Sequence, residues 1–324
     1  MTLRTAVCAI LTFVLFILAP TKAEDCKHLK GLWLELTPTP EGYLVPMSVN
    51  GKPHLFFLNL QDPYAVLDES IVAEAGLPTK KPSFKILSKD KPVEQVATAR
   101  TIQLGPLPRH DAEFLVSPHF PNWGDKADGE IGINILSGLD LELDLGHNKL
   151  GLFVQDHCPF TPYWRFDVMG SAPFQVMPTS AFLMPMRLDK TEIIASFGTN
   201  NQRSYLSGTA AKMLFGIDID SAGVIPSGQD NAGKPLYRYP FKTLSAEGVT
   251  INNPAISFHQ DDHKPCGGVA GKWFNRIRNN GSCLGGGDVA LGLTELKQLR
   301  FFFDFKEKKV YFTPADPIGP KPTP

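Results

Sequence analysis

The sequence of 324 residues carries 32 basic and 33 acidic side chains, a net charge of −1 that argues against a nucleic-acid-binding surface. Its 28 glycines and 28 prolines are spread along the chain, which disfavours a helical bundle and points to many short strands joined by turns. The length suffices for two hydrophobic cores.

Residues 1–23 read as a secretory signal: Arg4 gives a positive start, Ala6 to Ala19 form an apolar run, and Thr21-Lys22-Ala23 ends in small residues suited to cleavage. The run is about 14 residues, short of the roughly 20 needed to span a bilayer, with an uncleaved anchor as the alternative. Cys8 precedes the apolar run, which argues against a lipid-modified N-terminal cysteine. No later stretch is apolar enough to span, so the mature chain is expected to start at Glu24 and to be secreted or periplasmic. Its 30 basic and 33 acidic residues leave a charge of about −3.

Export leaves four cysteines, Cys26, Cys158, Cys266 and Cys283, with three possible pairings. The preferred one joins Cys266 to Cys283 and Cys26 to Cys158. The first of these bridges closes 16 intervening residues, a stabilisation of roughly 3 kcal/mol in the chain-entropy model.

The chain then repeats itself. Tyr43 to Leu67 lies without a gap over Phe182 to Leu206, pairing Pro46 with Pro185 and Met47 with Met186. Asn50-Gly51, opposite Asp189-Lys190, predicts that each copy opens with a hairpin. Glu130 to Phe153 lies over Ala290 to Thr313, pairing Asp144 with Asp304. The offset is 139 at the start and 160 at the end, so the second copy holds about 21 extra residues, around His259 to Gly287. Leu139 to Leu145 alternates apolar and acidic, the pattern of a strand with one buried face, whereas Phe301 to Phe305 is more continuously apolar.

Phe56 to Leu77 (FFLNLQDPYAVLDESIVAEAGL), Ile131-Gly132-Ile133-Asn134-Ile135-Leu136 and its echo Leu291-Gly292-Leu293 resemble the elements of retropepsin-like aspartic proteases, including bacterial exported forms with two such units in one polypeptide. The resemblance implies an all-β fold of two retropepsin-like acid-protease units, residues 27–160 and 172–314, in a bilobal pepsin-like architecture with a central cleft. The proline-rich tail, 315–324, is expected to be disordered.

That family uses one Asp-Thr-Gly per unit, and the two carboxylates share a proton so that one acts as base and the other as acid. Counting back from Val66-Leu67, Asn59 stands where the first Asp belongs, followed by Leu60-Gln61. In the second copy the gap-free register puts Gly198 there, and an alternative register puts Ser196. Asp62 is the nearest candidate for rescue. The resemblance therefore implies an exported protein lacking both catalytic aspartates, a non-catalytic module binding a peptide or protein between the lobes, with no cofactor. One alternative is an active endopeptidase using Asp62 with Asp128 or Asp288; another is a structural envelope protein.

His259, Asp261, Asp262, His263 and Cys266 offer ligand chemistry for a transition metal, with His259 and His263 the candidates. Their spacing matches no standard zinc pattern, and a solvated loop is the expected outcome. Lys264, Lys272, Arg276 and Arg278, beside Trp273 and Phe274, suggest either a docking loop or an insertion packed on its own unit. No Gly-x-Ser-x-Gly occurs, and Gly285-Gly286-Gly287 lacks the following Lys-Ser or Lys-Thr of a phosphate loop.

Overall fold

The computed structural model describes residues 29–83, 87–88, 91–118, 126–177, 180–230, 233–260 and 287–316. The signal segment, Cys26, His263, Cys266, Cys283, the basic aromatic loop and most of the tail lie outside the described residues.

Each copy of the repeat begins with the expected hairpin. In the first, Tyr43–Val49 pairs antiparallel with Lys52–Leu58; in the second, Ser180–Leu188 pairs with Thr191–Phe197. The turns use left-handed backbone at Asn50 (φ 48°) with Gly51 (φ 84°), and at Asp189 (φ 53°), the residue types that tolerate it best. The second hairpin strand then runs parallel to a short strand from much later in the unit. Lys52–Leu58 lies beside Gly129–Ile131, and Thr191–Phe197 beside Val289–Leu291. That late strand pairs on its other side, antiparallel, with Val66–Asp68 or with Ser204–Leu206.

This interleaving leaves no room for a side chain at the next residue. A Cβ on Gly132 would lie 2.3 Å from the Tyr64 carbonyl carbon, and one on Gly292 2.3 Å from that of Arg203. The glycine of the repeated apolar-Gly-apolar element is thus required by backbone passing over backbone. Short helices follow, Glu69–Glu74 capped by the Asp68 carboxylate on Ser70 N and Gly208–Phe215 capped by the Ser207 hydroxyl on Ala210 N.

The first lobe closes into a barrel, because Tyr43–Val49 also pairs with Val96–Leu104, completing a ring through Lys52–Leu58, Gly129–Ile131, Val66–Asp68 and Leu107–Ser117. In the second lobe the counterpart of the long strand Leu107–Ser117 is broken into Val249–Asn252 and Ile256–Phe258, with Asn253 at φ 50° between them. The chain is thus an all-β, two-lobed protein of pepsin-like architecture.

A six-stranded sheet joins the lobes at their base, in the order Gly31–Glu35, Lys149–Val154, Leu139–Asp144, Leu299–Asp304, Lys309–Pro314, Gly170–Pro173. The two central strands face each other with Leu141 opposite Phe303, Glu142 opposite Phe302 and Leu143 opposite Phe301. Since the repeat maps Glu142 onto Phe302, the local two-fold relating the lobes passes through this pair.

One sequence expectation needs correction here. Leu139–Asp144 has both faces buried: Asp140 and Glu142 are 0% exposed and Asp144 3%. The acidic face is covered by the inter-lobe linker, residues 155–169. Phe160 stacks on Phe302 at 3.7 Å, the Trp164 indole donates to the Thr313 hydroxyl at 3.0 Å, and the Tyr163 hydroxyl donates to Glu142. No helix among the described residues is long and apolar enough to cross a membrane.

Candidate functional site at the cleft floor

At the end of the hairpin strand in each lobe the chain turns across the floor of the cleft. The same main-chain hydrogen bonds hold both turns. Asn59 N donates to Ile131 O at 3.0 Å and Gly198 N to Leu291 O at 2.7 Å. Ile133 N donates to Asp62 O at 3.3 Å and Leu293 N to Asn201 O at 2.8 Å; Asn134 N to Pro63 O and Thr294 N to Gln202 O are both 3.0 Å. These bonds match Asn59 with Gly198, as the gap-free register has it. Ser196 lies two residues earlier, buried inside its strand opposite Leu183 and Ala290.

Here a side chain of the second lobe grips the backbone of the first. The Thr199 hydroxyl, fully buried, accepts from Leu60 N at 3.0 Å and donates to Leu58 O at 2.7 Å, clasping the backbone on either side of Asn59. The matching residue of the first lobe is Leu60, also buried, which has no hydroxyl to return the contact.

Asn59 is itself fully buried, and its amide nitrogen donates to two carboxylates, Asp62 Oδ2 at 2.7 Å and Glu130 Oε2 at 2.6 Å. Its oxygen accepts from Gln61 N at 3.1 Å. Both amide hydrogens are thereby committed, each to an acidic side chain that needs a donor when ionised. Across the floor, Asn201 Nδ2 donates to Gln61 Oε1 at 3.1 Å and to Asn200 Oδ1 at 3.0 Å. A Cβ on Gly198 would meet Gln61 Nε2 at 3.4 Å, Asn201 Nδ2 at 3.3 Å and Leu291 O at 3.0 Å. The first lobe's glutamine therefore reaches to the place from which a second-lobe side chain would project.

The structure does not bring Asp62 together with Asp128 or Asp288. Those two occupy matching positions and hold the hairpin strands instead: Asp128 Oδ2 accepts from Leu55 N at 3.3 Å and lies 2.9 Å from His54 Nδ1, and Asp288 Oδ2 accepts from Ile194 N at 2.8 Å. Leu55 precedes Asn59 by four residues of nearly extended chain, about 13 Å. Sequence reasoning passed over Glu130, which belongs to the floor. The signal for it was present, since Glu130 precedes the repeated Ile131-Gly132 where the second copy has Ala290 before Leu291-Gly292.

His259 packs as a surface ring, stacked parallel to Tyr205 at 6.1 Å, with Nδ1 3.1 Å from Pro235 O and Nε2 3.5 Å from Asp230 Oδ2. At the lobe seam, burial pushes the Glu142 carboxyl up to about 7 against the opposing pull of the Arg300 guanidinium. Burial, together with its hydrogen bond to Glu142, raises the Tyr163 hydroxyl.

No family model and no curated protein matches the chain by sequence. Among solved structures it is similar to the aspartic proteinase from Irpex lacteus, at 12% identity and a TM-score of 0.52, over 88% of this chain and 97% of that one. Likeness at that identity concerns the fold, and it makes this chain protease-like in architecture: two β-lobes of pepsin-like type.

Proposed function

We propose that the chain is an exported, two-unit retropepsin-like protein that has lost catalysis and uses its inter-lobe cleft to hold a peptide or a segment of a partner protein. The observation that carries this reading is the floor itself. General acid–base cleavage by this architecture requires two carboxylates sharing a proton at matching positions of the lobes. Those positions hold Asn59, an amide with both hydrogens engaged, and Gly198, without a side chain. The same main-chain hydrogen bonds hold both positions, and the cleft's amides, Gln61, Asn200 and Asn201, suit hydrogen bonding to a peptide main chain.

Export rests on the signal-like residues 1–23, and the unit boundaries 27–160 and 172–314 on the repeat. The Cys26–Cys158 disulfide of this reading would tie the first unit's beginning to its end. Gly31, five residues after Cys26 in the sequence, pairs antiparallel with Phe153, five residues before Cys158.

Incubating the mature protein with a diverse peptide library from pH 3 to 8, with and without pepstatin, tests the loss of catalysis. The expected outcome is no cleavage, together with retention of a subset of peptides whose binding falls on Gln61→Ala. Pepstatin-sensitive cleavage would overturn the reading. A second reading, an endopeptidase with atypical carboxylates, is favoured by one observation: Asp62 and Glu130 meet at the same Asn59 nitrogen. It requires that cleavage be found and be lost in Glu130→Gln.

A further inference from the structure

The lobe seam contains a group of side chains that the cleft reading leaves unused. Asp140, His157 and Asp304 are all buried, and one ligand atom from each lies within 4.8 Å of the others. They come from three parts of the molecule: the first lobe's central strand, the linker and the second lobe's central strand.

The two-fold explains why this place calls for a cation. The repeat maps Asp140 onto Arg300 and Asp144 onto Asp304, and the antiparallel register, continued by one residue at each end, sets Asp140 against Asp304 and Asp144 against Arg300. At one end of the seam Arg300 therefore faces an acid, 3.5 Å from Asp144 Oδ2, and also binds Glu142. At the other end an aspartate replaces the arginine, so two carboxylates face each other in a buried place. No lysine or arginine among the described residues forms an ion pair with either; the one basic side chain that reaches them is His157, with Nε2 2.6 Å from Asp140 Oδ2.

The surroundings orient all three groups inward. His157 Nδ1 is 2.5 Å from the Cys158 carbonyl, which directs Nε2 at the carboxylates. Asp140 Oδ1 accepts from Phe305 N at 2.9 Å and Asp304 Oδ1 from Glu307 N at 2.8 Å, leaving the other oxygen of each for the cluster. A backbone carbonyl behind the imidazole and backbone amides behind the carboxylates form the outer shell that fixes tautomer and orientation in metal sites.

We propose that Asp140, His157 and Asp304 bind a divalent transition metal of the Zn2+ type, one nitrogen and two oxygen ligands with water completing a tetrahedron. The metal would tie the two lobes and the linker together at the base of the cleft.

The test strips the full chain with EDTA, refolds it with or without Zn2+, and measures bound metal and affinity. One equivalent of Zn2+ is expected, with a rise in Tm. Asp304→Asn and His157→Gln should each weaken binding by about 100-fold or more, while His259→Ala leaves it unchanged. Should a seam variant fail to refold, visible absorption of the Co2+-loaded wild type characteristic of a four-coordinate nitrogen and oxygen site, together with loss of the free His157 imidazole NMR signature, decides the matter. Absence of stoichiometric Zn2+ uptake after refolding, uptake unchanged in the folded variants, or a His157 imidazole unaffected by metal would each overturn the proposal.

Discussion

The two lobes place different groups at the cleft floor. The first has carboxylates, Asp62 and Glu130, gathered by an amide; the second has a hydroxyl, Thr199, beside a residue with no side chain. What they share is main chain, for the bonds to Ile131 and Leu291 are the same bond made twice. Backbone hydrogen bonds and the glycines that let strands cross do not depend on which side chain stands at residue 59 or 198. The two turns therefore keep one geometry while the lobes differ in every side chain around them.

The comparison can be broken most forcefully at the first lobe's edge. Cys158→Ser, which removes the proposed staple to Cys26, should cost about 5 kcal/mol in the chain-entropy model. Urea denaturation of the oxidised protein would measure it, and non-reducing peptide mapping should recover a Cys26–Cys158 pair. A second intervention removes what the second lobe contributes. Thr199→Val leaves the Leu60 N–H without its partner in a buried place, a loss of about 2 kcal/mol. It should lower the urea midpoint at every pH alike.

The smallest effect sharpens the comparison in the first lobe. Asn59→Asp replaces a donor by a third acidic group beside Asp62 and Glu130 and should cost about 1–2 kcal/mol at pH 7. The direction with pH follows from proton binding. The folded variant holds a proton more readily than the unfolded chain, because a protonated carboxyl can donate where the amide did. Its deficit relative to wild type therefore shrinks as pH falls toward 4 and grows as pH rises. Paired denaturation curves at pH 4 and 7 would show this, and the variant should gain no pepstatin-sensitive activity, since Gly198 still faces it.

Much of this was legible in the sequence because the repeat is legible. The gap-free match of Tyr43 to Leu67 with Phe182 to Leu206 fixes both hairpins and the pairing of Asn59 with Gly198, and the Ile131-Gly132 and Leu291-Gly292 elements locate the crossing strands. The role of Glu130 was harder to see, because its partner lies 71 residues away across a parallel pairing that no local pattern announces. The buried acidic face of Leu139–Asp144 was misread for a related reason. Alternation reports that one face is polar, but not that a linker of aromatic residues will cover it. The Asp140–His157–Asp304 group was invisible because its members come from strands 164 residues apart and from the connection between them.

The pair on the two-fold also shows what joining two unlike units in one chain allows. In any symmetric dimer of a single such unit, the residue on the axis must face its own copy, so Glu142 would meet glutamate and Phe302 would meet phenylalanine. Glutamate facing phenylalanine requires two units of different sequence, which this single chain supplies. The interlock of Phe160 on Phe302 and Tyr163 on Glu142 uses that asymmetry, because the connecting segment meets a different residue on each side of the axis.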